Sequence, residues 1–375
     1  MLKVALVVGT RPEAIKMAPL AIEMKANPET NPLLILTAQH RSMCDDVLQV
    51  FDLKPDYDLD IMKPDQSLFE VTARLARRLE AVMREEMPDL VLVQGDTTST
   101  FMGGLCAYYL QIPVGHVEAG LRTYRKYSPF PEEINRKLTT AVADLHFAPT
   151  DVARDCLLRE GVDQDKVFVV GNPVIDALLH VAAKDYPFRT KRLARLDFDR
   201  TRIIAVTAHR RESFGEPFRN MMVALREIAA RYDDVRIVFP VHPNPNVRDS
   251  VRKVLQGAER VLLVEPLDYK EFVRLLKYCY FIITDSGGIQ EEAPSLSKPV
   301  LLMREVTERP EAVEAGAVRV VGTDSDRIIA ASCSLLDSEA EYKKMVVERN
   351  PYGDGKTSQR IVEIILDHLS RVEGS

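Results

Sequence analysis

"YFIITDSGGIQEEAPSLSKPVLLM", residues 280 to 303, carries the reading of the fold. YFIITD (280–285) is an apolar run of strand length, SGG makes a tight turn that opens a helix, and PVLLM (299–303) is a second apolar run. Strand, helix and strand in that order make a βαβ unit, and runs that are apolar throughout are strands covered on both faces, as in a parallel sheet. The turn also poses a chemical question. Ser286, Gly287 and Gly288 stand where free backbone N–H groups and the helix dipole attract an anion. Yet Glu291 and Glu292 follow within one helical turn.

The same alternation runs on either side of this unit. In the second half it continues through IIAVTA (203–208), VRIVFPV (235–241), RVLLVE (260–265) and VRVVG (318–322). The first half repeats it with KVALVV (3–8), LLILT (33–37), DLVLVQ (89–94), IPVGHV (112–117), LHFAP (145–149) and VFVVG (167–171), with helices expected over 12–25 and 68–87. A polar, basic stretch at 184–202 interrupts the rhythm, and 375 residues are too many for one ordinary core. The expected fold class is therefore α/β, with two Rossmann-like domains whose parallel sheets face each other across a cleft. The expected domains are 1–171 and 172–356, and a last helix from about 357, following the turn NPYGDG, packs back on one of them.

Composition excludes several functions. Apolar residues at 46% and charged residues at 28% fit a soluble globular protein. Fifty basic against 56 acidic residues give a net charge of −6 without a long basic block, so neither nucleic acid nor a membrane surface is an expected partner. Five scattered cysteines have no metal-ligand or disulfide spacing, which predicts no metal and a reducing cytoplasm. The apolar run at 4–8 is too short for a signal-peptide core, and no segment is long and apolar enough to span a membrane. The first strand is not followed by G-x-G-x-x-G, and the chain has neither a Walker lysine loop nor G-x-S-x-G. No cofactor is expected.

Polar residues cluster just after strand ends, where open α/β sheets build their sites. Arg11 and Lys16 follow the first strand, Asp96 follows DLVLVQ, Glu118 follows IPVGHV, His209 with Arg210 and Arg211 follows IIAVTA, and SGG follows YFIITD. Each has a plainer alternative. Asp96 before TTST can serve as an N-cap, and a lone histidine is more often structural. Arg11 and Lys16 can be solvated charges, but they sit at a helix start, where the dipole disfavours cations, and two adjacent arginines follow His209. His116 and His146 lie inside apolar runs and read as core or edge residues. Together the set suits an anionic small molecule, and a nucleotide sugar fits it.

Several blocks then carry a family resemblance: GTRPEAIKMAPL (9–20), TAQHR (37–41), GDTTST (95–100), PVGHVEAGLRT (113–123), SPFPEEINR (128–136), TAHRRESFGEP (207–217), TDSGGIQEEAPSL (284–296), TERPEA (307–312) and NPYGDG (350–355). In this order, over nearly the whole chain, the sequence resembles the non-hydrolysing bacterial UDP-N-acetylglucosamine 2-epimerases. The resemblance implies a GT-B arrangement in which the final helix, about 357–375, crosses back to the first domain, and a homodimer. It also implies reversible conversion of UDP-N-acetylglucosamine to UDP-N-acetylmannosamine by elimination of UDP, through bound 2-acetamidoglucal, and re-addition. UDP and the two nucleotide sugars are then the partners, and the product feeds surface-polysaccharide synthesis.

By the same resemblance, Asp96, Glu118 and Glu132 are the acid/base candidates, and His209 stands near the diphosphate. Arg11, Lys16 and Arg309 match substrate-binding positions, Phe272 packs against uracil with Leu267 beside it, and Glu292 accepts from the ribose hydroxyls. Arg136 and Arg211 lie in matching blocks with a structural alternative open. Ser286, Gly287 and Gly288 would supply backbone donors to the diphosphate, and Glu291 reads as a favourable first-turn carboxylate. A segment used by some members to bind a second, activating substrate corresponds to Gln39, His40 and Arg41. It departs from their pattern at Ser42 and, further on, at Asp65, which predicts weak or altered activation. The rival readings are a hydrolysing epimerase, a GT-B glycosyltransferase and a catalytically silent UDP-sugar sensor.

Overall fold

The computed structural model describes residues 1–38, 41–63, 65–210 and 213–373, without the side chains of 41–43, 246 and 369–373. Among the described residues the strands form two sheets. The first contains β1 (Leu2–Val8), β2 (Thr30–Leu36), β3 (Tyr57–Asp58), β4 (Leu90–Gln94), β5 (Val114–Val117), β6 (Leu145–Ala148) and β7 (Val167–Val169), in the order β3-β2-β1-β4-β5-β6-β7. The second contains β8 (Arg202–Thr207), β9 (Val235–Pro240), β10 (Val261–Val264), β11 (Phe281–Thr284), β12 (Val300–Leu302) and β13 (Val318–Val320), in the order β10-β9-β8-β11-β12-β13. All pairings are parallel. The expectation of an α/β chain with two Rossmann-like parallel sheets is met.

The central strands are buried on both faces, which is why their sequences are apolar without alternation. Every residue of β4 and every residue of β11 is buried. On one face of the second sheet, Ile204, Val206, Ile237, Phe239, Phe281 and Ile283 pack against Phe218, Met221, Met222 and Leu225 of the helix Glu216–Arg231. Both strand orders reverse direction at one point, between β1 and β4 in the first sheet and between β8 and β11 in the second. Those switch points are where doubly wound sheets hold ligands, beyond the carboxyl ends of the strands.

Two compact units result: Met1–His180 with Tyr352–Ser375, and Val181–Pro351. The division falls inside the helix Pro173–Ala182, where the sequence placed it after residue 171. The stretch up to residue 201 is built of turns, bends and irregular chain in the second unit, and Arg202 begins β8; Phe188 and Phe198 stack at 5.2 Å, and Asp185 is bound to Arg274. The last helix, Thr357–Glu373, belongs to the first unit. Asp176 accepts from Ser358 N at 2.7 Å and Thr357 N at 3.3 Å, and so caps this helix from another one. Ile361, Val362 and Ile365 are buried there.

The sequence reading had no counterpart for β3, an edge strand of two residues paired to Ile35 and Leu36 of β2. A pair of residues is too short to show periodicity. Among the described residues no helix is long and apolar enough to cross a membrane.

Candidate functional site

The residues singled out by sequence fall in two sets, one in each unit. In the first unit Glu118 follows β5 directly, is buried, and holds a left-handed backbone with φ 62°. That conformation is uncommon for a non-glycine residue and aims the side chain differently from the strand before it. Its Oε1 accepts from Lys16 Nζ at 2.5 Å and from Asn172 Nδ2 at 2.9 Å, and its Oε2 from Gln94 Nε2. Three donors from three elements thus fix one carboxylate. Asn172 and Gln94 were not singled out in the sequence.

Asp96 follows β4 by two residues, and its carboxylate accepts from Arg136 Nη2 while Asn135 Nδ2 donates to its carbonyl at 3.0 Å. Arg136 is largely buried, and its Nη1 also lies 3.4 Å from Glu133 Oε2. The adjacent Glu132 and Glu133 divide two tasks at the start of the helix Glu132–Val142. Glu133 is buried and closes a loop by accepting from Thr123 N at 2.9 Å and Tyr124 N at 3.0 Å. Glu132, by contrast, has a buried Oε2 with no hydrogen-bond partner among the described residues. A polar atom buried without a partner is costly unless a ligand or water uses it.

Arg11 opens the helix Arg11–Ala26 and is half-buried. The turn before that helix is held by Glu13, which sequence reasoning missed. Its carboxylate is buried and accepts from Gly9 N (2.7 Å), Thr10 N (2.6 Å), Thr97 Oγ1 (2.5 Å) and Thr100 Oγ1 (2.9 Å). Burial pushes its pKa up, against the pull of those four donors. Glu13 therefore ties the loop after β1, with Arg11, to the loop after β4, with Asp96. The signal was present as the capping box Thr10-x-x-Glu13.

His116 and His146 lie side by side on β5 and β6 and are buried, in keeping with the core reading. His116 Nε2 is 2.7 Å from the carbonyl of Gly95, the residue before Asp96. Burial lowers the pKa of His116 to about 3 and that of His146 to about 4.

In the second unit Asp285, the first residue past β11, is fully buried. Its Oδ2 accepts from His209 N at 2.7 Å and Arg210 N at 2.8 Å, joining the loops after β8 and β11. The His209 side chain is 43% exposed and stacks on the ring of His242 at 5.5 Å. A Cβ added to Gly287 would lie 3.5 Å from Arg210 Nη2 and 3.7 Å from Arg309 Cζ, so two guanidinium groups stand over the bare glycine backbone. This is the strongest cationic feature of the second set, and guanidinium forks suit phosphate oxygens.

Two expectations about the turn change. Ser286 N donates to Thr284 Oγ1 at 2.9 Å, so its N–H is already committed within the protein. Glu291 is not a first-turn carboxylate: the helix Gly287–Glu292 begins at Gly287, and buried Glu291 accepts from Arg309 Nε at 2.7 Å. Its charge serves to hold Arg309 in place. Gly288 and Glu292 lie on the same helix, with Glu292 buried. Leu267 is buried and Phe272 half-buried on the helix Tyr269–Tyr278, which Asp268 caps by accepting from Glu271 N at 2.8 Å. Gln39, His40, Arg211 and the side chain of Arg41 lie outside the described residues.

Known proteins share this sequence and this fold. The family model described as UDP-N-acetylglucosamine 2-epimerase matches residues 22–366. A UDP-N-acetylglucosamine 2-epimerase from Bacillus subtilis is 53% identical over 367 residues, 98% of this chain and 96% of the relative. The crystal structure of UDP-GlcNAc 2-epimerase from Neisseria meningitidis bound to UDP-GlcNAc is 46% identical, with a TM-score of 0.87 over 98% of this chain and 100% of that one. The S. aureus MnaA–UDP co-structure is 49% identical, with a TM-score of 0.88 over 99% and 97%. On this agreement of sequence and fold, the chain belongs to the UDP-N-acetylglucosamine 2-epimerase family.

Proposed function

We propose that this protein interconverts UDP-N-acetylglucosamine and UDP-N-acetylmannosamine without net hydrolysis. The observation that carries the reading is the trio of carboxylates in the first unit, each in a different setting. Glu118 accepts from three donors, Asp96 is engaged by Arg136, and Glu132 keeps a buried oxygen with no hydrogen bond among the described residues. Elimination across C1 and C2, followed by re-addition on the other face, needs such a set.

The C2 proton is not adjacent to a carbonyl, so direct deprotonation leaves a carbanion with no stabilisation. In the elimination a carboxylate takes the C2 proton, the C1–O bond breaks with its electrons leaving on UDP, and 2-acetamidoglucal remains. Return of a proton to C2 from the opposite face and attack of the UDP oxygen on C1 give the epimer. Asp96, Glu118 and Glu132 are the proposed acid/base groups. Arg210 and Arg309 over Gly287, with His209, are proposed to stabilise the departing diphosphate. Arg11 and Lys16 add positive charge for the substrate, Glu292 takes the ribose hydroxyls, and Leu267 with Phe272 takes the uracil. We further propose a cytoplasmic homodimer, as the family resemblance implies.

Incubation with UDP-N-acetylglucosamine in deuterated water, followed at C2 by NMR, tests the reaction. The expected result is UDP-N-acetylmannosamine carrying deuterium at C2. Accumulation of free N-acetylmannosamine with UDP identifies a hydrolysing enzyme instead, and absence of both exchange and epimer overturns the proposal.

A further inference from the structure

A fully buried carboxylate is expensive unless both of its oxygens are used. Oδ2 of Asp285 is used, by the backbone N–H groups of His209 and Arg210 at 2.7 and 2.8 Å, and those two bonds orient the carboxylate. Oδ1 is buried and has no hydrogen bond among the described residues; the His209 Nδ1 atom stands 3.5 Å from it. The neighbours leave that oxygen little else to do. The Thr207 and Thr284 hydroxyls are bonded to each other at 2.5 Å, with Thr284 Oγ1 also accepting from Ser286 N, and the His242 ring, inclined only 12° to that of His209, covers one face of the imidazole.

We propose that Asp285 is a positioning residue for His209: Oδ1 accepts the Nδ1 proton, which makes Nε2 the nitrogen presented to the ligand. The inference rests on the reading of His209 as the group facing the departing diphosphate. A neutral imidazole carries one N–H, so fixing the proton at Nδ1 leaves Nε2 as an acceptor, and a ring protonated at both nitrogens then donates from Nε2 while the buried carboxylate balances its charge. Catalytic hydrogen bonds are often long without ligand and shorten in the complex, which accounts for 3.5 Å here. One aspartate thereby sets the ring's tautomer and, through the neighbouring N–H, the start of the segment that bears Arg210.

The test uses the full-length protein labelled with nitrogen-15 histidine, with the His209 signals assigned by their loss in His209→Gln. The expected neutral ring has Nδ1 protonated and Nε2 bare. In Asp285→Asn the side-chain oxygen still accepts from the two backbone N–H groups, but its amide now points a donor at Nδ1. The tautomer should reverse, and kcat should fall on the order of 100-fold while KM moves less than about 3-fold. A wild-type ring protonated at Nε2, or an Asp285→Asn enzyme with both tautomer and kcat unchanged, overturns the inference. If that variant does not fold, the wild-type spectrum alone decides. Full activity in His209→Gln would instead remove the underlying role of His209, and the spectra would still judge the hydrogen bond.

Discussion

Lys16 Nζ stands 2.5 Å from Glu118 Oε1, joining the helix after β1 to the loop after β5 across the intervening strand β4. Both side chains are largely buried, so each helps to compensate the other for lost hydration. Lys16→Met removes the ammonium partner of a buried carboxylate, and unfolding free energy should fall by about 3 kcal/mol, read by urea titration. Glu118→Gln removes instead the charge proposed to take part in proton transfer. Its kcat should fall at least about 100-fold in a coupled assay.

Asp96→Asn keeps an acceptor for Arg136 but lacks a carboxylate. Turnover should fall on the order of 100-fold or more, with KM within about 3-fold, because the proton transfer proposed for Asp96 belongs to the transition state. Steady-state kinetics with UDP-N-acetylglucosamine separate the two parameters. An unchanged rate would remove Asp96 from the proton transfers.

Gly287→Ala places a methyl group 3.5 Å from Arg210 Nη2, an ordinary contact in the free protein but within the space a phosphate would fill. The UDP dissociation constant should rise about 10-fold, equivalent to about 1.4 kcal/mol. Stability should hold or improve, since alanine is favoured over glycine within a helix by up to about 1 kcal/mol. Calorimetric titration with UDP and a thermal melt check both halves.

The buried histidines make stability depend on pH. His116 and His146 have folded pKa values of about 3 and about 4, below the ordinary value of 6.5. The unfolded chain therefore binds protons that the folded chain refuses as pH falls below 6.5, and their contribution is full above that value and lost towards pH 4. Each histidine adds a slope of about 1.4 kcal/mol per pH unit in that window. His146→Gln should flatten the dependence by about that amount, measured by urea unfolding between pH 6.5 and 4.5.

The sequence was most legible where burial alone governs it. Apolar runs located the long strands, and residues just past their ends, from Arg11 to His209, lie beyond the carboxyl ends of the two sheets because parallel strands deliver their following loops to one side of the sheet. Side-chain partnerships were less legible, since they depend on which strands become neighbours. Asn172 reaches Glu118 from 54 positions away, and Asp285 reaches His209 from 76. Periodicity carries no record of such pairs. Glu291 was misread for a related reason: local helix rules assign a carboxylate to the dipole, whereas Arg309, 18 residues on, claims it.

The helix Thr357–Glu373 also imposes an order on biosynthesis. Its buried Ile361, Val362 and Ile365 complete the unit that the first 180 residues begin, while the second unit is already whole at Pro351. The first unit therefore cannot be completed until residues beyond the second have been made, in contrast to the usual N-terminal-first order. A chain ending before residue 357 would retain the whole second unit but lack the helix that buries Ile361, Val362 and Ile365 in the first.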